Sequence, residues 1–125
     1  MKHIAIYQRG YVTEAELNDM TETAMAIPDS ESIATYWDHN RSERSEFRSL
    51  MGAVKDGHVD TIIAQSICRF AKNSAECLKV IKELHEQNVR VWFSKERFWS
   101  TDFAGRIMMA IMADLVGDPN LSVEV

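Results

Sequence analysis

The stretch DTIIAQSICRFAKNSAECLKVIKELHEQNVRVWF, residues 60–93, decides the fold. Its opening DTIIAQ (60–65) is short, apolar and largely β-branched, as a central strand requires. Asn73-x-x-Glu76 then caps a helix that carries Cys77, Val80, Ile81 and Leu84, with Asn88 suited to its C-terminal stop. VRVWF (89–93) returns to strand periodicity. A strand, a helix of about four turns and a second strand make a right-handed crossover, which implies parallel pairing.

Working outward, HIAIYQR (3–9) alternates, with Ile4 and Ile6 on one face and Tyr7 and Arg9 on the other. Thr13-x-x-Glu16 reads as a capping box for a helix whose Leu17, Met20 and Ala24 share a face, ended by Pro28-Asp29. SIATYWD (32–38) is a second, short aromatic strand. After the polar turn HNRSE, a helix from about Arg44 places Phe47, Leu50, Met51 and Val54 at helical spacing and closes at Gly57. A last helix starts near Thr101–Asp102, runs to Leu115 and ends before Gly117 and Pro119. The fold class is α/β: a small, mostly parallel sheet flanked by helices, with one domain over 1–116 and a tail over 117–125.

The net charge of −5 argues against a protein that coats nucleic acid, because nonspecific affinity comes from neutralising phosphates. It leaves room for a local basic site. Cys68 and Cys77 form no CxxC pair and read as free thiols of a reducing cytoplasm. No apolar run is long enough to span a membrane, and the N-terminal apolar stretch is too short for a signal peptide. His3, His39, His58 and His85 show no ligand-like pairing, so neither a metal nor a cofactor is expected.

The chemistry concentrates in four cations. In open α/β sheets, ligands gather outside the carboxyl ends of parallel strands. Arg9 ends the first strand, Arg69 and Lys72 follow the 60–65 strand, and Arg44 opens its own helix. Together they predict an anion site on one rim of an acidic protein.

Taken in order, these residues resemble the catalytic domain of the serine recombinases, the resolvase/invertase family. IYQRG carries Tyr7 and Arg9, RSEF carries Arg44 and Phe47, and VDTIIAQSICRFAKN carries Asp60, Arg69 and Lys72. VWFSKERFWSTDFAG matches the later strand and turn, with Gly105 in place. The resemblance implies a resolvase-like fold with a C-terminal interface helix. It also implies site-specific DNA recombination: a strand is cut and rejoined through a protein–phosphate link, without metal. Arg9, Arg44 and Arg69 would clamp the phosphate, Lys72 would act as a point charge in place of a second arginine, and Asp60 would be a positioning carboxylate. The implied partners are DNA, bound weakly without a separate DNA-binding domain, and a second identical or related recombinase chain on the last helix.

One departure stands out. The family's serine position, two after Arg9, is Tyr11. A phenol oxygen reaches several ångströms further than a serine oxygen, and a misplacement of about 1 Å can cost roughly a hundredfold in rate. Thr13 is the alternative nucleophile, although capping explains it fully. Glu14, Glu16, Asp19 and Glu22 crowd the following helix, where they repel DNA phosphate. Three readings follow: a recombinase domain cutting through a substitute hydroxyl, a catalytically silent relative that pairs with an active partner or binds DNA phosphate weakly, and a small α/β domain that binds some other phosphate ligand. On the last helix, Phe103, Ile107 and Ile111 are expected in the core, with Met108, Met109, Met112 and Leu115 at an oligomer contact. Cys68 is expected to be buried and inert, and Trp37, Trp92 and Trp99 to be core or rim aromatics.

Overall fold

A computed structural model describes residues 2–40 and 44–116, with the side chains of the last helix described as far as Met112. In chain order the elements are β1 (Lys2–Arg9), α1 (Glu14–Met25), β2 (Ser30–Asp38), α2 (Ser45–Lys55), β3 (Thr61–Ala64), α3 (Ile67–Phe70), α4 (Ser74–Glu86), β4 (Arg90–Phe93), β5 (Phe98–Trp99) and α5 (Phe103–Val116). The sheet order is β2-β1-β3-β4-β5. The first four strands are parallel, and β5 turns back antiparallel on β4 through Trp92↔Trp99 and Phe93↔Phe98. The mostly parallel α/β sheet expected from the 60–93 stretch is therefore present.

The local signals explain most boundaries. Thr13 Oγ1 accepts from Glu16 N–H and Glu16 Oε1 accepts from Thr13 N–H, so the capping box at α1 is complete. Asn73 caps α4 by accepting from Glu76 N–H, and Asn88, at φ 60°, takes the left-handed conformation that stops it. Two elements were not expected. Ser66 accepts from Arg69 N–H and nucleates the single turn of α3, and the β4 strand folds back as the two-residue β5.

Helices cover both faces unequally. On one face α2, α4 and α5 enclose a large core that includes Tyr7, Phe47, Leu50, Phe70, Ile81 and Phe93. Phe70 sits at its centre, edge-on to Tyr7, Phe47 and Phe93. Each such fully buried side chain contributes about 1.5–3 kcal/mol from apolar burial. On the other face α1 alone covers a small cluster of Ile4, Ile6, Met20, Ala24, Ile27 and Ile63. β2 is an edge strand, and most of its residues are exposed.

The last helix reverses the expected phase. Met109 and Met112 are buried in the large core and Met108 packs against it, whereas Phe103, Ile107 and Ile111 are exposed. Gly105 explains the reversal. A Cβ there would collide with the Trp99 carbonyl oxygen and stand 3.0 Å from that of Ser100. The helix therefore turns Gly105 inward, and Met109 and Met112, four and seven residues later, follow it. The Leu115 side chain and residues 117–125 lie outside the described residues. Among the described residues no helix is long and apolar enough to cross a membrane.

Candidate functional site

At the carboxyl edge of the sheet, β2 ends in Asp38, which is fully buried. Its carboxylate accepts from Tyr7 Oη at 2.7 Å, Glu46 N–H at 2.9 Å and Phe47 N–H at 3.1 Å. Arg44, the N-cap residue of α2, makes no side-chain cap bond, so the strand-end carboxylate caps the helix instead. Burial, reinforced by the bond to Asp38, pushes the Tyr7 phenol well above its usual range. Asp38 thereby fixes where α2 begins and where Arg44 stands. Sequence reading passed over it, although an acid closing a strand at the ligand-binding edge was the available signal.

Three arginines meet on the turn just beyond β3. Arg9 Nη2 donates to the carbonyls of Cys68 (2.7 Å) and Ala71 (3.2 Å). Arg44 Nη1 donates to Phe70 O at 3.4 Å, its Nη2 pairs with Glu76 at 2.6 Å, and its guanidinium lies 4.0 Å over the Phe47 ring. Arg69 Nη1 reaches back to the carbonyls of Arg9 (2.7 Å) and Tyr11 (3.4 Å). Arg9, Arg44 and Arg69 thus share the carboxyl edge, and much of their donor capacity is spent on backbone carbonyls. Lys72 is exposed beside this turn and lines a groove between α2 and α4 with Arg44, Arg48 and Lys79.

Asp60 does not join them. It precedes β3 and so lies at the amino edge, where it accepts from His3 N–H at 2.9 Å. Parallel pairing sets His3 and Arg9 at opposite ends of β1, which separates Asp60 from the arginines by the length of the strand. Its expected positioning role is corrected on that ground. Tyr11 is 76% exposed, and it is its carbonyl that the Arg69 side chain engages. Thr13 Oγ1 serves the cap of α1.

Beside the arginine turn, between α1 and the ends of β3 and β4, lies a cleft of about 590 Å³. Gln65 stitches its inner end: Oε1 accepts from Arg9 N–H at 2.9 Å, and Nε2 donates to Glu16 at 3.3 Å. Burial would raise the Glu16 carboxyl, but bonds from Thr13 and Gln65 and the Arg69 charge outweigh it and hold the group below its usual range. Cys68 lines this cleft and is exposed, contrary to the buried thiol expected. The one-turn α3 explains the difference, because it points Phe70 to the core and turns Cys68 outward.

The family model described as "Resolvase, N terminal domain" matches residues 9–116. No curated protein matches the chain in sequence. Among solved structures, a resolvase family site-specific recombinase from Streptococcus pneumoniae superposes with a TM-score of 0.76 at 20% identity, covering 94% of this chain and 87% of the other. The N-terminal catalytic domain of TP901-1 integrase gives 0.76 at 16% identity, covering 91% and 93%. The C-terminal catalytic domain of ISC1926 TnpA, an IS607-like serine recombinase, gives 0.61 at 12% identity, covering 92% and 99%. These likenesses establish the fold.

Proposed function

This chain belongs to the resolvase N-terminal domain family, and from that premise we propose that it is the catalytic-type domain of a site-specific DNA recombinase. The observation that carries the reading is that Arg9 and Arg44, distant in sequence, both donate to carbonyls of the turn at 68–71, while Arg69 of that turn donates back to the Arg9 carbonyl. Guanidinium groups gathered at one edge of the sheet are suited to the charge of a phosphodiester in displacement. A hydroxyl oxygen of the protein attacks phosphorus, a protein–phosphate bond forms, and one DNA strand end leaves as a free hydroxyl. The reverse attack by a DNA hydroxyl rejoins the strand. Tyr11 and Thr13 are the candidate nucleophiles near this rim, and Lys72 adds positive charge beside it. The exposed Phe103, Ile107 and Ile111 stripe of α5 is the surface for a second recombinase chain.

A second reading, a catalytically silent partner of an active recombinase, is favoured by one set of contacts. Arg44 is paired with Glu76, Thr13 is committed to its helix cap, and the Tyr11 ring stands in solvent. A nicked suicide substrate, presented to the domain fused to a DNA-binding module, separates the two. A covalent adduct mapped to Tyr11 or Thr13 establishes cleavage. Retained DNA binding without an adduct, and an adduct regained in Tyr11→Ser, establishes silence. If neither form binds DNA, both readings fall.

A further inference from the structure

We infer that the free edge of β2 is a self-pairing surface, on which a second copy of this chain lays its own β2 antiparallel to make one sheet across two molecules. β2 ends the sheet order, so its backbone groups that face away from β1 meet no described strand. Folded proteins blunt such an edge with lysine, proline or a bulge. SIATYWD (32–38) holds no lysine or proline, and its single acid, Asp38, is buried. The register shift of the β1–β2 pair falls before this stretch, between Lys2 and His3. The edge is left regular, uncharged and open.

Its side chains complement themselves. Thr35 is the midpoint of this stretch, and a two-fold axis there sets Thr35 opposite Thr35, Ala34 opposite Tyr36 and Ile33 opposite Trp37. Register with β1 places Ile33 beside Ile4 and Trp37 beside Gln8, on the face that α1 alone covers. Ile33 is 40% exposed and Trp37 37%. A β-branched residue across from an aromatic is a favourable cross-strand pair, and the axis supplies it twice. Trp37 is already fixed in place: its Nε1 donates to Gly10 O at 2.9 Å, and its ring stacks on His39 at 4.2 Å. The same register brings Glu31, 3.5 Å from His3 of its own chain, opposite His39 of the second copy. A carboxylate thus meets an imidazole at each end, and no like charges oppose each other along the ladder. A ladder roughly 24 Å long is small beside a standard interface, so the pairing is reversible. α5 lies against β5 at the other end of the sheet, and its apolar stripe stays free.

The test is sedimentation of the full chain carrying Ile107→Glu, so that the α5 stripe does not contribute. The expected result is a monomer–dimer equilibrium in the micromolar range. Thr35→Lys, at an exposed position, sets two like charges across the axis and should weaken it at least tenfold. Disulfide trapping in a Cys68→Ser background reads the register. Thr35→Cys should cross-link to itself, because directly opposed residues stand about 4.5–5.5 Å apart, within disulfide reach. Ile33→Cys should link to Trp37→Cys in a mixture of the two chains and not to itself. A chain that stays monomeric at millimolar concentration overturns the surface. So does a dimer indifferent to Thr35→Lys, or trapping of Thr35→Cys no faster than that of Glu22→Cys on the exposed side of α1. Self-linkage of Ile33→Cys overturns the register. The inference does not rest on the recombinase reading, and failure of DNA binding or cleavage leaves each of these outcomes unchanged.

Discussion

On the α2 and α4 side of the sheet the buried Tyr7 hydroxyl and Asp38 carboxylate bond each other and the first amides of α2. On the α1 side Gln8 Nε2, Thr61 Oγ1, Trp92 Nε1 and Ser94 Oγ are buried without a partner among the described residues. The two faces belong to the same strands and differ in what covers them. Three helices enclose the first, and one helix crosses the second. The crowded face carries the stability and fixes where the arginines stand. The thin face leaves hydrogen-bonding capacity unspent along its strands.

The largest expected effect attacks the polar anchor of the crowded face. Asp38→Ala strands the Tyr7 hydroxyl and two amides of α2, and should lower unfolding free energy in urea by about 3–5 kcal/mol. A loss below about 1 kcal/mol would mean that the anchor is dispensable and the contrast unfounded. Next comes a matched pair of core truncations. Phe70→Ala should cost about 3–5 kcal/mol and Met20→Ala, under the single helix, about 2 kcal/mol, so equal losses would erase the difference between the layers.

A hydroxyl pair sharpens the comparison further. Tyr7→Phe should destabilise by about 1–2 kcal/mol because it leaves Asp38 short of a donor, while Thr61→Val should be neutral or stabilise by up to about 1 kcal/mol. A clear loss in Thr61→Val would show that this hydroxyl is bonded after all. The smallest effect concerns pH. Burial, aided by the Arg106 charge, lowers the pKa of His85, so the native state keeps the ring neutral where the unfolded chain would protonate it. This contribution is complete above the unfolded value of about 6.5 and is lost as pH falls through the lower folded one. His85→Gln should flatten the fall in the urea midpoint between about pH 7 and 5.

What could be read from sequence was what neighbouring residues decide. The capping boxes at Thr13 and Asn73 and the apolar run at 60–65 need only local chemistry, and they placed α1, α4 and β3. That Arg9 and Arg69 share one edge of the sheet followed from strand direction. Asp60 was misjudged because its place in the chain, close to Arg69, says nothing about which end of a strand it occupies. The phase of α5 was misjudged because apolar residues surround that helix, and periodicity cannot choose between two apolar stripes. Asp38 escaped notice because its partners lie on β1 and α2, far from it in the chain.

The choice between those stripes rests on a single hydrogen atom. Gly105 lets α5 lie against the Trp99 and Ser100 carbonyls, and its absent methyl sets the rotation of the helix like the index mark on a dial. Any larger side chain there would re-clock the helix, retracting the outward Phe103, Ile107 and Ile111 and offering a different row of residues to a neighbour. In this protein the row of side chains turned outward is therefore set at a position that is itself buried.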